Sequence, residues 1–388
     1  MQLSVIILNY NVRYFLELCV LSVQEAIKGL DAEIIVVDNN SPDDSCAMIK
    51  ERFPHITLIE NKENSGFPKG NNIGVAAAKG KYVCILNPDT VVAEDTFSKI
   101  LAFAVAQSNF GIAGPKLIDG RGQFLPESKR GVPTPWVAIT KIGGLYKAFP
   151  ELPPFNRYYA QHVKENQNGK VDILVGAFML MERKLYLEVG GFDEDCFMYS
   201  DDIDLSYTVL KKGLDNYYFA GTSVIHYKGE STVKDGAYMN RFREAMQFFY
   251  RKHFKQSAVF DVLMRGGTLV FALAKKNKKA PVYSPQQYIL ISDDETLQET
   301  LQNQLQKNVV RTAAIKKDAL FLQNNGIEVL FDNAFVSFAD IISFMETYKA
   351  NGFTYKIKPA NAGFMVGSNS SNDRGAVIKL ENFIARTV

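Results

Sequence analysis

The sequence predicts an α/β protein with a doubly wound, mostly parallel sheet over residues 1–255 and a smaller α/β unit over residues 288–388. Three observations predict it. Short apolar runs alternate with segments of helical spacing from the first residues onward. Each apolar run stops abruptly at a polar turn. The same alternation restarts after a linker at residues 281–285. Strands alternating with amphipathic helices give a parallel sheet covered on both faces, and 388 residues exceed one ordinary core.

The elements follow in order. Leu3-Ser4-Val5-Ile6-Ile7-Leu8 reads as a buried parallel strand ending in Asn9-Tyr10-Asn11. Phe15, Leu18, Cys19, Leu21 and Ile27 then fall on helical spacing, and Gly29 stops that helix. Residues 33–37 form the second strand, closed by Asp38-Asn39-Asn40-Ser41. A helix over 43–53 and a strand over 56–59 precede a polar loop at 61–70, which leads into an Ala-rich helix over 71–79. The fourth strand, 82–86, ends in Asn87-Pro88-Asp89. Beyond it come a helix at 96–106 and a short strand at 112–115. Residues 119–170, rich in Gly, Pro and aromatics, read as a functional loop or lid. An apolar strand at 173–181, a helix at 183–189, a Gly190-Gly191 turn and a helix running from Asp201 through Lys212 follow. Short strands at 216–219 and 223–225 deliver His226.

A helix over 236–254 carries Tyr238, Phe242, Ala245, Met246, Phe249 and Tyr250 on one side, flanked by Arg241, Arg243, Arg251, Lys252 and Lys255. It reads either as a helix packed on the sheet with a solvated basic face or as an interfacial helix on anionic lipid, continued by residues 258–279. Residues 256–287 are an amphipathic, basic connector. In the last unit, strands at 288–292, 309–310, 329–331, 355–358 and 364–372 alternate with helices at 295–306 and 338–350. Its Phe364–Asn372 strand ends in a small polar turn, either ordinary or a phosphate cradle.

A net charge of +2 gives no reason to invoke nucleic acid. Cys19, Cys46, Cys84 and Cys196 are scattered in or beside apolar runs, which predicts buried thiols and neither zinc nor a disulfide framework. No signal peptide is visible, and no apolar stretch reaches the roughly 18 residues of a spanning helix. A cytoplasmic protein is expected, with a peripheral contact at the inner face of the membrane.

A parallel sheet places the four polar strand ends on one edge, where open α/β sheets bind ligands. That edge offers a ring (Tyr10), two carboxylates (Asp38, Asp89), several amides and a loop holding Gly66 and Gly70. Taken singly, Asp38 reads equally as a helix cap, Asp89 as a turn residue and the glycines as turn glycines. Taken together they are an inventory for a nucleotide and a divalent ion.

Eight motifs in this order resemble those of family-2 glycosyltransferases, most closely the rhamnosyltransferase-like branch. They are Ser4-Val5-Ile6-Ile7-Leu8-Asn9-Tyr10-Asn11, Val36-Val37-Asp38-Asn39-Asn40-Ser41, Glu63-Asn64-Ser65-Gly66-Phe67-Pro68-Lys69-Gly70-Asn71-Asn72-Ile73-Gly74, Leu86-Asn87-Pro88-Asp89-Thr90, Val175-Gly176-Ala177-Phe178-Met179-Leu180, Val189-Gly190-Gly191-Phe192-Asp193-Glu194, Phe197-Met198-Tyr199-Ser200-Asp201-Asp202-Ile203-Asp204-Leu205 and His226-Tyr227-Lys228-Gly229-Glu230-Ser231-Thr232. The resemblance covers about residues 1–255. It implies a GT-A fold (Rossmann-like, mostly parallel), a nucleoside-diphosphate sugar donor, a glycan or lipid-linked acceptor and a divalent metal, Mg²⁺ or Mn²⁺. Tyr10 and Asp38 match base- and ribose-binding positions; Asn64, Gly66, Gly70 and Asn71 match the loop that closes on the donor. Asp89 matches the last carboxylate of the D-x-D metal motif, with Asn87 in place of the first, and His226 matches a position that supplies a further ligand. Asp202 matches the catalytic base of an inverting transfer, with Asp201 beside it to orient acceptor or base.

Thr208 stands where many relatives carry a basic residue, so a diphosphate contact is either missing or supplied from elsewhere. The chain also lacks the Q-x-x-R-W motif and the spanning helices of processive synthases, which implies transfer of one sugar per acceptor. Two other readings stay open: a sugar-phosphate nucleotidyltransferase, disfavoured because Asn9-Tyr10-Asn11-Val12-Arg13 has no glycine, and a non-catalytic nucleotide-sugar binding protein. The last unit resembles, at the level of fold, nucleotide-binding-like domains appended to sugar-transfer proteins of bacterial surface-polysaccharide pathways.

Overall fold

Strand β1 (Leu3–Asn9) is buried at every position, which suits the interior of a sheet covered on both faces. It lies between β2 (Ala32–Asp38) and β4 (Tyr82–Leu86), parallel to both, with β3 (Thr57–Glu60) beyond β2. Helices α1 (Arg13–Ala26), α2 (Ser45–Arg52) and α3 (Gly66–Ala77) make the crossovers. The computed structural model describes residues 1–196, 199–228, 236–254, 285–313, 326–370 and 374–380.

The chain continues through β5 (Thr90–Val91), α4 (Thr96–Val105), β6 (Phe110–Ile118), β7 (Lys129–Arg130), α5 (Pro135–Ile142), α6 (Leu145–Ala148), β8 (Gly169–Val171), β9 (Ile173–Leu174), β10 (Phe178–Glu182), α7 (Arg183–Glu188), α8 (Asp201–Lys211), β11 (Asp215–His226) and α9 (Gly236–His253). The first sheet has the order β3-β2-β1-β4-β10-β6-β11-β5, with β8 on β11. β10 runs antiparallel to both β4 and β6.

A second sheet is built from β12 (Gln287–Ile291), α10 (Glu295–Leu305), β13 (Val309–Thr312), β14 (Ile327–Asp332), α11 (Phe338–Thr347), β15 (Thr354–Lys358), β16 (Phe364–Gly367) and β17 (Ala376–Lys379), in the order β13-β12-β14-β15-β16-β17. Its first four strands in that order are parallel and its last two antiparallel. One apolar cluster joins the two sheets: Val12, Phe15, Val91, Ile225 and Tyr227 pack with Ile289, Phe331, Phe338, Met345 and Phe364.

Three elements differ from expectation. Residues 173–181 are two strands, β9 and β10, separated by Val175-Gly176-Ala177. The two short strands expected before His226 are one, β11, with a register shift between Phe219 and Ser223. Helix α3 starts five residues earlier than its composition suggests, and Gly66 at its entry adopts φ +80°, a conformation open to glycine at little cost. The Asn64 side chain accepts from its N–H at 3.1 Å.

In α9, Ala245, Met246, Phe249 and Tyr250 are buried, the last three against Ile173 and Ile203, as in the packed reading of that helix. The side chains of residues 236–243, and the 255–284 segment that carries the lipid-binding and connector expectations, lie outside the described residues. No helix among the described residues is long and apolar enough to cross a membrane. The four cysteines are free thiols, three of them buried. The turn after β16 is packed against the first sheet's 119–122 turn: a Cβ on Gly120 would sit 2.1 Å from the Ser368 carbonyl oxygen. Residues 371–372 of that expected strand lie outside the described residues.

Candidate functional site

The C-terminal ends of β1, β2, β3 and β4 share one edge. Asn9 pairs in register with Asp38, and Asp38 with Glu60, while Leu86 lies level with Ile7. Just beyond that edge Tyr10 is exposed, 38 % of its surface open. Its turn is fixed from below: the Asn11 N–H donates to Ser41 Oγ at 2.9 Å, and Asn11 takes φ +57°. Asp38 is buried and accepts from Asn9 Nδ2 (2.7 Å), Ser41 N (2.8 Å) and Ser41 Oγ (2.7 Å). The carboxylate thus locks two strand ends together and keeps limited capacity for a further donor.

Asn39, absent from the expected site residues, organises the loop before α3. Its amide nitrogen donates to the Gly66 carbonyl (3.0 Å) and Asn64 Oδ1 (3.3 Å); its oxygen accepts from Asn61 (2.8 Å) and Ser65 (3.1 Å). Gly70 and Asn71 are not in a loop. Both lie inside α3 and are buried. A Cβ on Gly70 would meet Leu8 Cδ1 at 2.4 Å, so the residue lets α3 press onto β1. Asn71 donates back to the Phe67 carbonyl at 2.9 Å, and its side-chain oxygen has no partner. Tertiary packing here overrode the turn reading of Gly70, while Asn71 lies in the helix expected from residue 71 onward.

Asn87, Asp89 and His226 come together. His226, paired with Thr90 where β11 meets β5, places Nε2 3.5 Å from Asp89 Oδ1. Asn87 Nδ2 lies 3.3 Å from the same nitrogen, a donation that needs the ring's lone pair on Nε2. Asp89 is 3 % exposed, yet its Oδ1 has no hydrogen bond; neither has Asn87 Oδ1. Two orphaned, buried, hard oxygens beside an imidazole suit a divalent cation. Among the described residues no three His, Cys, Asp or Glu side chains form a complete metal cage, so oxygens from a ligand would have to finish the coordination.

Asp201 and Asp202 open α8, where negative charge is favoured by the helix dipole. Asp202 Oδ2 receives Arg130 Nη2 at 2.5 Å and the Gly176 N–H at 3.1 Å. The next residue, Ala177, accepts the Asn87 N–H at 3.0 Å. Two consecutive residues in the break between β9 and β10 therefore tie Asp202 to the Asn87-Pro88-Asp89 turn. Burial, and then the Asp202 charge, push the Asp201 carboxyl up to about 7.

Arg130 is the main residue that the sequence reading missed. It sits in β7, paired with β9, inside the long irregular stretch. Burial alone would disfavour its charge, but Asp202 outweighs that and its pKa is raised. The available signal was a Lys129-Arg130 pair amid Gly, Pro and aromatics. Nearby, Lys228 pairs with Glu127; burial would raise the Glu127 carboxyl, yet Lys228 holds it below its ordinary value. Lys141, hydrogen-bonded to Tyr158, is drawn down to about 8 by burial and by the Arg130 charge. Thr208, further along α8, keeps its hydroxyl buried without a partner.

Residues 4–190 match the family model described as Glycosyl transferase family 2. The chain is 27 % identical over 215 residues to the N-acetylglucosaminyl-diphospho-decaprenol L-rhamnosyltransferase of Mycobacterium tuberculosis, spanning 53 % of this chain and 69 % of that one. It is 24 % identical over 263 residues to the rhamnosyltransferase WbbL of Escherichia coli, spanning 62 % of this chain and 92 % of that one. A mannosyltransferase from Pyrobaculum calidifontis, solved with GDP-Man and Mn2+, overlays 72 % of this chain on 76 % of its own with a TM-score of 0.45 at 19 % identity.

Proposed function

Residues 4–190 belong to glycosyl transferase family 2, in its rhamnosyltransferase-like branch, and from that premise we propose that the protein is an inverting glycosyltransferase moving one sugar from a nucleoside-diphosphate sugar to an acceptor hydroxyl in bacterial surface-glycan assembly. The observation that carries the reading is the bridge from Asp202 through Gly176-Ala177 to Asn87-Pro88-Asp89. It sets a carboxylate for the acceptor proton beside a turn suited to a diphosphate.

In this mechanism Arg130 and the Gly176 N–H fix one oxygen of Asp202. The other, Oδ1, takes the proton of the acceptor hydroxyl as that oxygen attacks the anomeric carbon. The sugar–phosphate bond breaks on the opposite face, and the nucleoside diphosphate departs with the bonding electrons. A divalent ion, Mg²⁺ or Mn²⁺, would neutralise charge on the departing diphosphate. Asp89 and Asn87 would hold it, with His226 beside them. Arg130 and Lys228 supply positive charge near the site where Thr208 supplies none. Tyr10 and Asp38 border the place for the nucleoside, and Gly66 and Asn64 set the entrance to α3 beside it. Asp201 orients Asp202 or the acceptor.

The test is Asp202→Asn. Transfer from the donor identified by thermal-shift screening of UDP-, GDP- and dTDP-sugars with Mg²⁺ or Mn²⁺ should fall by about a hundredfold or more, with donor binding retained. Undiminished transfer would sink the assignment of the base. Release of pyrophosphate from a sugar phosphate and a nucleoside triphosphate would instead mark a nucleotidyltransferase.

A further inference from the structure

Eight large apolar side chains are exposed among the described residues, and three of them, Trp136 (49 %), Phe149 (46 %) and Leu152 (48 %), fall within one short stretch of the 119–170 insertion. Trp136 and Phe149 form one surface rather than two, because both rings lie against Phe155, at 6.1 and 5.6 Å between centroids. The indole N–H of Trp136 is satisfied by the Pro154 carbonyl at 2.8 Å, which leaves the ring to present its carbon face. A contiguous exposed aromatic surface is a recurrent mark of a partner or a membrane.

Charge selects between them. Glu151, next to Leu152 in sequence, is paired with Lys164 at 2.9 Å, and Arg130 is paired with Asp202, so Lys147 and Arg157 are the charges that bear on the aromatic stretch. Lys147 and Arg157 are exposed, each two residues along the chain from a ring of that surface, Phe149 and Phe155. Trp and Phe bracketed by exposed Lys and Arg is the composition of a segment that rests in the headgroup region of an anionic bilayer. The segment is also anchored where a lipid-linked acceptor would need it. Tyr250 of α9 donates to the Pro133 carbonyl at its start. Lys141 holds Tyr158 within it, and Arg130, just before it, is paired with Asp202.

We propose that the surface formed by Trp136, Phe149 and Leu152, flanked by Lys147 and Arg157, docks the protein on an anionic lipid bilayer and so turns the Asp202 side of the site towards a membrane-borne acceptor. The docking itself stands on the surface alone; its link to an acceptor rests on the glycosyltransferase reading above.

Trp136 is the one tryptophan in the chain, so its emission reports this surface and nothing else. The full chain is mixed at low salt with vesicles of equal parts phosphatidylglycerol and phosphatidylcholine, with no sugar nucleotide present. The expected result is co-sedimentation, a blue shift of the emission and quenching by lipids brominated in their acyl chains. Lys147→Gln and Arg157→Gln should each weaken sedimentation by about fivefold. Phe149→Ser with Leu152→Ser, both exposed positions, should abolish the blue shift while the circular dichroism stays unchanged. Absence of sedimentation overturns the proposal. Sedimentation with an unshifted, unquenched Trp136 also overturns it, since another segment would then be carrying the contact. Protein that binds vesicles in this way but transfers no sugar leaves the docking surface standing and removes the proposed function.

Discussion

Asp201 and Asp202 are neighbours in sequence with opposite surroundings. Asp202 faces a guanidinium and a backbone N–H, whereas Asp201 is buried beside its neighbour's charge and its carboxyl is pushed up to about 7. The raised value has a definite sign in stability. Between the ordinary Asp range near 4 and about 7 the folded state holds a proton that the unfolded state has lost, so this group's contribution to stability falls as pH rises through that window. Asp201→Asn removes that dependence. Its melting temperature relative to the parent should be more favourable at pH 8 than at pH 5; a difference constant with pH would contradict the burial argument. Neither environment was visible in the Asp-Asp pair itself, where the motif resemblance alone singled out Asp202 as the base. The Arg130 contact spans 72 residues of chain, and local patterning carries no signal for a pairing of that range.

At the scale of elements, α3 shows how close packing sets what residues do. A Cβ on Gly74 would lie 2.5 Å from Ile6 Cγ2 and 3.0 Å from Val37 Cγ2. Both neighbours are β-branched and stiff at χ1. Gly74→Ala would gain roughly 1 kcal/mol of helix propensity but cost about 1–3 kcal/mol in overpacking. A net loss is expected, read as a lower urea midpoint with an unchanged slope. Strands β1, β2 and β4 were legible because interior parallel strands are unbroken apolar runs bounded by polar turns. The direction of β10 was not, since an apolar run reads the same in either direction. The break before it was not legible either: Val175-Gly176-Ala177 is as apolar as its flanks, and only the fold reveals that its N–H and C=O groups turn to Asp202 and Asn87.

At the scale of the whole molecule, the second sheet is fastened just beyond the turn that carries Asp89, past β5. Glu94, five residues on, caps α11: its two carboxylate oxygens accept the Phe338 and Ala339 N–H groups at 2.7 and 2.8 Å. Ser337 already caps the same helix by accepting from Asp340 N, so the Glu94 bonds serve attachment as well as helix termination. Glu94→Ala should cost about 1–2 kcal/mol, measured by urea unfolding, with Glu94→Gln intermediate. A variant as stable as the parent would show that the contact contributes nothing. Lys116 reinforces the attachment by pairing with Glu165 of the insertion (2.9 Å) and Glu346 of α11 (2.7 Å). Sequence periodicity identified the second unit as α/β but could not show this docking, because residues facing a neighbouring sheet and residues facing their own core are equally apolar.

The apolar seam between the sheets has a consequence for related chains. Val12, Phe15, Val91, Ile225 and Tyr227 belong to the first sheet's half of the molecule, yet they are kept dry by Ile289, Phe338, Met345 and Phe364 of the other. A homologue that ended before β12 would present those five side chains to water as a sticky face. It could persist as a dispersed monomer only with polar substitutes at those places. The hydropathy of five positions in the first half of a relative's sequence therefore forecasts whether a second sheet accompanies it, before any of that second sheet has been read.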